Sequence, residues 1–280
     1  MNLRTLYWDA FAGISGDMAL GSLIALGANP EEIVNRVKSM GLTEFELKVT
    51  KKQIQGISAT DIDVIIYNRD HDHDHDHDHD HDHDHDHDHD HSHDHKHDHN
   101  HDHGLNDSYI QAHHRSYTDI VKMISTGNLS ERAIENAIKV FRVLAEAEAK
   151  VHASTINEVH FHEVGAVDSL VDIVGSVVAL DLLEVDEVLV SILPWSRGFV
   201  NCAHGILPLP APATLEILPG FKFKESGITG ELITPTGASL LRALAKQSEF
   251  PQMTLERVGY GAGKNNYGIP NMLRAVLGQR

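Results

Sequence analysis

The stretch Leu3–Leu26 reads LRTLYWDAFAGISGDMALGSLIAL and decides the fold class. Leu3–Ala10 is an apolar run of strand length, Gly13 and Gly16 indicate a tight turn, and Asp17–Leu26 has the pattern of a helix. A strand that passes through a glycine turn into a helix is typical of proteins that combine sheet and helices. We therefore predict a mixed α/β (α+β) fold.

The glycine turn is also a candidate binding site. Backbone N–H groups at the start of a helix can hold an anion, so Ser15, Gly16 and Asp17 are candidate anion-binding residues. Asp9 and Asp17, at the two ends of the turn, suggest a metal or other cation near that anion. The turn is neither a Walker loop nor a dinucleotide fingerprint, because the spacing and the lysine are missing. A purely structural turn is the alternative.

The rest of the chain alternates helix and strand patterns. Apolar residues at helical spacing predict helices from Asn29-Pro30 onward and over residues 130–151, 166–183, 213–218 and 234–246. Alternating or short apolar runs predict strands over residues 45–50, 57–66, 187–193, 253–260 and 272–277. These patterns do not give the order of the strands.

A low-complexity tract interrupts these elements between Asp70 and His103. It contains 17 His, 14 Asp and one Lys, with His at every odd position and no large apolar residue. Such a segment buries too little apolar surface to offset its ordering entropy, so we predict a disordered surface insertion. The α/β body then comprises residues 1–69 and 104–280, and residues 70–103 form the insertion.

Outside the tract the chain is mildly acidic. The tract carries −13 of the net charge of −18, which leaves −5 for all other residues. No basic patch indicates nucleic acid, no apolar run approaches the ~20 residues of a membrane span, and no signal-peptide pattern is seen. Cys202 is the only cysteine, so an internal disulfide is excluded. We predict a cytoplasmic protein that binds neither nucleic acid nor membranes.

The composition of the tract points to a transition metal. Neutral imidazole is a ligand for nickel, copper, zinc and cobalt, and carboxylates add charge and weaker ligation. The candidate ligands include His71, His73, His75, His101 and His103. A flexible chain of such residues suits capture and exchange of metal. Composition alone does not select nickel over zinc or copper, and a solvated insert without a role is the alternative.

A second group of polar residues follows the sequence His160-Phe-His162-Glu163. His160 and His162 share a face in an extended segment, and Asp168 and Asp172 share a face on a helix. Two imidazoles and up to three carboxylates could therefore converge as ligands for a divalent metal or as an acid–base pair. A helix start with capping acids and a buried histidine is the alternative.

Three smaller features complete the candidates. His113-His114-Arg115 follows the tract and could relay metal or hold phosphate. Thr234-Pro-Thr236-Gly places two hydroxyls at a helix start, which is either an ordinary cap or an anion site. Cys202 and His204 are two residues apart, but a small buried cysteine is the simpler interpretation.

Together these segments resemble the LarC family, the nickel insertion proteins of the lactate racemase system. The similarity covers nearly the whole chain apart from the tract. The motifs occur in the family order: Asp9–Met18, His113–Arg115, His160–Asp168, His204–Thr214, Glu231–Gly237, Gly259–Gly263 and Asn271–Arg274.

The resemblance implies insertion of nickel into pyridinium-3,5-bisthiocarboxylic acid mononucleotide, which gives the nickel-pincer cofactor of lactate racemase. The family reaction uses CTP with Mn²⁺ or Mg²⁺. Family members continue past Leu277 into a C-terminal domain associated with CTP. We therefore expect this chain to be the N-terminal part of such an insertase (a nickel chelatase of the lyase class) and that domain to be missing from it. Expected partners are a C-terminal LarC polypeptide, lactate racemase and further copies of the chain.

Residue chemistry suggests the division of roles within this reaction. The tract would deliver nickel to His160, His162 and Asp172, with His113 and His114 as further ligands. Glu163 or Asp168 would accept the ring proton. The helix starts at Ser15–Asp17 and at Thr234 and Thr236, together with Asp9, would hold the substrate phosphate or a divalent cation.

Two other functions remain open from the sequence. A non-catalytic nickel chaperone or store would depend on the tract alone. A zinc hydrolase centred on residues 160–172 would need three rigid ligands and an open coordination position.

Overall fold

The computed structural model describes residues 3–67, 115–159, 167–202 and 205–280. The strands are β1 (Arg4–Asp9), β2 (Phe45–Ile54), β3 (Ile57–Ile66), β4 (Glu187–Val190), β5 (Leu193–Arg197), β6 (Phe199–Cys202), β7 (Gly205–Pro208), β8 (Phe223–Thr229), β9 (Ala245–Gln247), β10 (Thr254–Ala262) and β11 (Met272–Gln279). The helices are α1 (Gly16–Ala25), α2 (Pro30–Lys38), α3 (Tyr117–Thr126), α4 (Glu131–Val151), α5 (Val167–Leu182), α6 (Pro212–Ile217) and α7 (Pro235–Leu244). This mixture confirms the predicted α/β class.

A seven-stranded mixed sheet forms the centre, in the order β2-β3-β10-β11-β1-β4-β9. β1 pairs antiparallel with β11 and parallel with β4. Strands from both sides of the His/Asp tract therefore lie in one sheet. Two smaller pairs, β5 with β8 and β6 with β7, stand apart from it.

The β2–β3 hairpin shows how local sequence sets the register. Gln55 and Gly56 form its two-residue turn, and both have positive φ, at 49° and 83°. This is the conformation of the tight turns that match the twist of antiparallel strands. Ile54 and Ile57 then pair directly across the turn.

Of the described helices, α5 has the largest number of buried residues, eleven. Its sequence is apolar around almost its whole circumference, which is typical of a helix buried on all sides. It contacts α1, α2 and α4 within a continuous apolar core. Asp168 and Asp172 interrupt this apolar surface in the first two turns of α5. Among the described residues, no helix combines the length and apolar character needed to cross a bilayer.

Most predicted elements are confirmed, and their errors lie at the ends. The predicted strand 187–193 is wrong in length, since it ends at Val190. The predicted helix 234–246 ends at Leu244, because Ala245–Gln247 instead pair as an edge strand with β4. Helix α3 and strands β5 to β8 were not predicted. The predicted disordered insertion 70–103 lies outside the described residues.

Candidate active site

Two loops come together where α1 and α7 begin. The N–H of Ile14 donates to the carbonyl of Leu232 at 2.9 Å, and the N–H of Thr234 donates to the carbonyl of Ile14 at 3.2 Å. Ile14 and Ile233 form a parallel bridge between the loops. The N-terminal ends of the two helices therefore lie side by side, although more than 200 residues separate them in the sequence.

Glycines allow this close approach. A Cβ on Gly237 would lie 2.3 Å from the carbonyl oxygen of Ile14. A Cβ on Gly16 would lie 2.7 Å from Oδ2 of Asp172 and 2.9 Å from Cγ2 of Thr236. Three helix starts, those of α1, α5 and α7, thus converge on one place.

A cleft of about 330 Å³ opens at this place. It lies within the size range of small-molecule sites. Its lining comes from the three helix starts, from β3 and from the segment after β10: Ser15, Gly16, Asp17, Ile62, Asp63, Val64, Asp168, Ser169, Asp172, Thr234, Thr236 and Lys264.

Asp172 is the most unusual group in the cleft. Its Oδ1 is enclosed and has no hydrogen-bond partner among the residues that the structure describes. Burial raises the pKa of the Asp172 carboxyl well above its usual range, and the charges of Asp17 and Asp168 raise it further. A buried carboxylate without a partner is unfavourable unless it is protonated or balanced by a cation.

Asp17 is the second carboxyl at the base of the cleft. Burial raises its pKa, although hydrogen bonds from the Ser15 hydroxyl and the Met18 N–H act in the opposite direction. The Met18 N–H donates to Oδ1 at 2.8 Å, and Ser15 Oγ donates to the same oxygen. Asp17 thus uses its own helix start to stabilise one carboxylate oxygen.

Lys264 is the one cationic side chain among the described residues that line the cleft. Its Nζ donates to Asp61 Oδ1 at 2.8 Å, to the Ile62 carbonyl at 2.6 Å and to Asp63 Oδ1 at 2.6 Å. Burial lowers the pKa of Lys264, but the hydrogen bonds to the two carboxylates outweigh it and leave the pKa raised. The ammonium group therefore has a positive charge, and all three of its donors are in use.

A smaller pocket of about 140 Å³ adjoins the cleft and shares Ser15, Asp17, Thr234 and Lys264 with it. Tyr267 closes one wall, where its hydroxyl donates to the carbonyl of Glu231 at 2.9 Å. The pocket is polar and adds amide side chains to the acidic cleft.

The structure brings together seven of the residues singled out from the sequence: Ser15, Gly16, Asp17, Asp168, Asp172, Thr234 and Thr236. Asp9 does not join them. Its carboxylate pairs with Arg274 across the β1–β11 ladder, and it lines a different pocket with Tyr7 and Phe250. Cys202 is partly exposed on the β6–β7 hairpin.

The predicted histidine ligands and one predicted acid lie outside the described residues. They are His71, His73, His75, His101, His103, His113, His114, His160, His162 and Glu163. In the part of the chain that is described, no three His, Cys, Asp or Glu side chains come together as a metal-binding group.

Sequence reasoning missed Lys264 and Asp63. Lys264 directly follows the glycine-rich motif Gly259–Gly263, which marks a close approach of the backbone: a Cβ on Gly261 would lie 1.9 Å from the carbonyl oxygen of Met18. The alternation of Asp61 and Asp63 on β3 places both on one face, which could have indicated a shared cationic partner.

Comparison with known proteins identifies the family. A family model described as "Nickel insertion protein" matches residues 6–280. A "Putative nickel insertion protein" of Dictyoglomus thermophilum is 38% identical over 278 residues, 99% of this chain and 61% of that protein. Proteins named "Pyridinium-3,5-bisthiocarboxylic acid mononucleotide nickel insertion protein" match in Staphylococcus epidermidis, with 36% identity over 98% of this chain and 59% of theirs, and in Thermotoga sp., with 40% identity over 99% and 61%.

The chain spans about three fifths of the length of these curated relatives. No solved structure matches it. The family match extends over the glycine turn, the cleft and the sheet alike, so the chain belongs to the nickel insertion protein family.

Proposed function

We propose that this chain takes part in inserting nickel into pyridinium-3,5-bisthiocarboxylic acid mononucleotide, as the N-terminal part of a CTP-dependent insertase. The product would be the nickel-pincer cofactor of lactate racemase. The names of the Staphylococcus epidermidis and Thermotoga relatives support the substrate. The cleft at the three helix starts is where we assign the chemistry.

The observation that carries this proposal is the position of the two histidine-rich segments along the chain. Val64 lines the cleft, and the His/Asp tract begins six residues later at Asp70. Asp168 lines the cleft too, and His162 precedes it by six residues. Six residues of chain, each spanning at most ~3.6 Å, therefore join each segment to the cleft. Metal captured by either segment can therefore be passed to the same site.

The helix starts suit the substrate phosphate. No described residue accepts a hydrogen bond from the backbone N–H of Gly16 or Asp17, so both remain available to an anion. Helix N-termini attract negative charge through these groups and through the helix dipole. The hydroxyls of Ser15, Thr234 and Thr236 add polar contacts along the same wall.

Nickel is the substrate metal in this scheme. The tract would deliver it, and His160 and His162 would hold it next to the pyridinium ring. Glu163 or Asp168 would accept the proton of the ring carbon while the electron pair of the C–H bond forms the Ni–C bond. Asp168 is exposed at the rim of the cleft, where a base can reach a bound ring.

The described lining has no unpaired cationic side chain for the triphosphate of CTP, since its one lysine already donates to Asp61, Asp63 and a carbonyl. A triphosphate is usually bound by several cationic groups. We therefore assign CTP and its divalent ion to the portion of the family protein that this chain does not cover.

Nickel insertion by ligand variants tests the proposal. Changing His160 and His162 to Ala, in the chain combined with the remaining portion of the family protein, should lower the rate of cofactor formation at least a hundredfold. His152→Ala is the control, since His152 directly follows the last residue of α4, lies beside Glu148 and is outside the cleft lining. Rates within a few-fold of the unchanged chain in the double variant would rule out the ligand role.

A nickel chaperone or store is the second candidate, and the 17 histidines of the tract favour it. Deletion of residues 70–103 separates the two functions. The insertase predicts a higher nickel requirement with unchanged chemistry when nickel is abundant. The chaperone predicts complete loss at every nickel concentration.

A further inference from the structure

The cleft has too much negative charge for the ligand it is proposed to bind. Four carboxylates, those of Asp17, Asp63, Asp168 and Asp172, line it against the single charge of Lys264. A phosphate monoester carries about −1.5 to −2 at neutral pH. The phosphate and the carboxylates would repel each other within one cleft, so an anionic nucleotide needs an additional cation there.

Lys264 cannot supply that charge to the base of the cleft. Its ammonium group is fixed on β3 by Asp61, Asp63 and the carbonyl of Ile62. An ammonium group has three donors, and all three are occupied there. Asp63 is thereby paired, which leaves Asp17, Asp168 and Asp172. Asp168 is exposed to solvent, so Asp17 and Asp172 are the less exposed carboxylates without a cation among the described residues.

The geometry of that pair is compact. Asp172 lies against the first turn of α1, so close that a Cβ on Gly16 would be 2.7 Å from its Oδ2. Asp17 is the next residue in α1, with its Oδ1 already bonded to Ser15 and Met18. Asp172 Oδ1 is enclosed and has no hydrogen-bond partner in the structure.

We propose that Asp17 and Asp172 bind a hard divalent cation, Mg²⁺ or Mn²⁺, jointly with the phosphate of the nucleotide. This inference rests on the proposed binding of a pyridinium mononucleotide in the cleft. The cation neutralises the carboxylate pair and links it to the phosphate, so cation and nucleotide bind cooperatively. It is distinct from nickel, which is the substrate metal.

The ligand set is the reason for choosing a hard cation. Mg²⁺ is commonly held by one or two carboxylates, substrate phosphate oxygens and water, and not by a complete protein cage. Two carboxylates without imidazole or thiolate suit Mg²⁺ and Mn²⁺ better than nickel or zinc.

The test measures how Mg²⁺ changes nucleotide affinity. The 280-residue chain is titrated with nicotinic acid mononucleotide, a pyridine mononucleotide with one phosphate, by calorimetry with and without millimolar MgCl₂. We expect Mg²⁺ to tighten binding by roughly tenfold or more, within the usual range of coupling between two sites. Asp17→Asn and Asp172→Asn should each abolish this effect.

Asp186→Asn is the matched control, because Asp186 is exposed, accepts the N–H of Arg4 and lines a different pocket. It should keep the full Mg²⁺ effect. Thermal melting of each variant checks its folding. If the unchanged chain binds the probe equally well with and without Mg²⁺, or if both variants keep the effect, the cation site is refuted while the nucleotide site stands. If the probe does not bind at all, the proposed nucleotide site fails as well.

Discussion

Replacing Gly237 by Ala should destabilise the protein at the junction that forms the cleft. The added Cβ would lie 2.3 Å from the carbonyl oxygen of Ile14, 2.7 Å from its carbon and 3.1 Å from Cα of Ser15. All three are backbone atoms, so no side-chain rotation can relieve the collision. The loop before α1 and the start of α7 must move apart by close to 1 Å.

The expected magnitude combines three effects. Overpacking against a rigid neighbour costs ~1–3 kcal/mol. Loss of the hydrogen bond from Thr234 N–H to the Ile14 carbonyl, now 3.2 Å, adds ~0.5–1.5 kcal/mol. The higher helix propensity of Ala returns up to about 1 kcal/mol. The middle of these ranges gives a net loss of about 2.5 kcal/mol, which lowers the melting temperature by about 5–10 °C in a domain of this size.

Urea denaturation followed by circular dichroism measures this difference. Gly175→Ala is the control, since Gly175 lies within α5 and its added Cβ meets at closest range the methyl groups of Leu20 at 3.2 Å and Ile33 at 3.3 Å. We expect the control to lose less than about 1 kcal/mol. Affinity for a pyridine mononucleotide should fall in Gly237→Ala alone.

Equal stability losses in the two glycine variants would refute the reasoning, because they would show that the loop before α1 is not held rigidly against α7. A stable Gly237→Ala variant with unchanged nucleotide affinity would refute the assignment of the cleft to that junction.

Three further predictions follow from the same contacts. Asp172→Asn should raise the free energy of unfolding near pH 7, without added metal, and leave it unchanged near pH 3. The pKa of the Asp172 carboxyl is raised in the folded protein. The carboxyl therefore destabilises the fold at pH values above the pKa that it has in the unfolded chain, and not at pH values below it. Urea titrations at both pH values check this, and an equal gain at both would contradict it. Lys264→Met should lower the free energy of unfolding by about 1 kcal/mol or less at pH 7, since the ion pair of Lys264 with Asp63 is partly exposed. This loss should become smaller at low pH, because Lys264 holds the pKa of Asp63 below its usual range. A loss of the same size at pH 3 would exclude the ion pair as its cause. Trp8→Phe should destabilise by about 1–3 kcal/mol, because it leaves a void and removes the indole N–H that donates to Ser22 Oγ at 3.3 Å; denaturation showing no change would refute that account of the core.

Local elements could be predicted because short-range patterns encode them. The apolar run, glycine turn and helix of residues 3–26 appear as β1 and α1, and the turn at Gln55-Gly56 sets the β2–β3 register. The wrong predictions concern segments whose conformation depends on a partner that is distant in the sequence. Ala245–Gln247 carries a helical pattern but forms strand β9, because β4 offers an unpaired edge.

The candidate site was predicted in part for the same reason. Ser15–Asp17 and Thr234–Thr236 are helix starts that sequence alone reveals, and Asp168 and Asp172 stand out in an apolar helix. From the sequence we predicted that Asp9 and Asp17 belong to the same site, since they flank one turn. The pairing of β1 with β11 instead brings Asp9 to Arg274, on a partner strand 265 residues away.

The sequence by itself therefore determined the composition of the His/Asp tract, the local elements and the residue types at each helix start, because these depend on neighbouring residues. Only the tertiary structure decided which of them meet. It placed Asp17 beside Asp172 and used every donor of Lys264 on Asp61, Ile62 and Asp63. Those contacts depend on strand order and on backbone approach at Gly16, Gly237 and Gly261, which local sequence patterns do not specify.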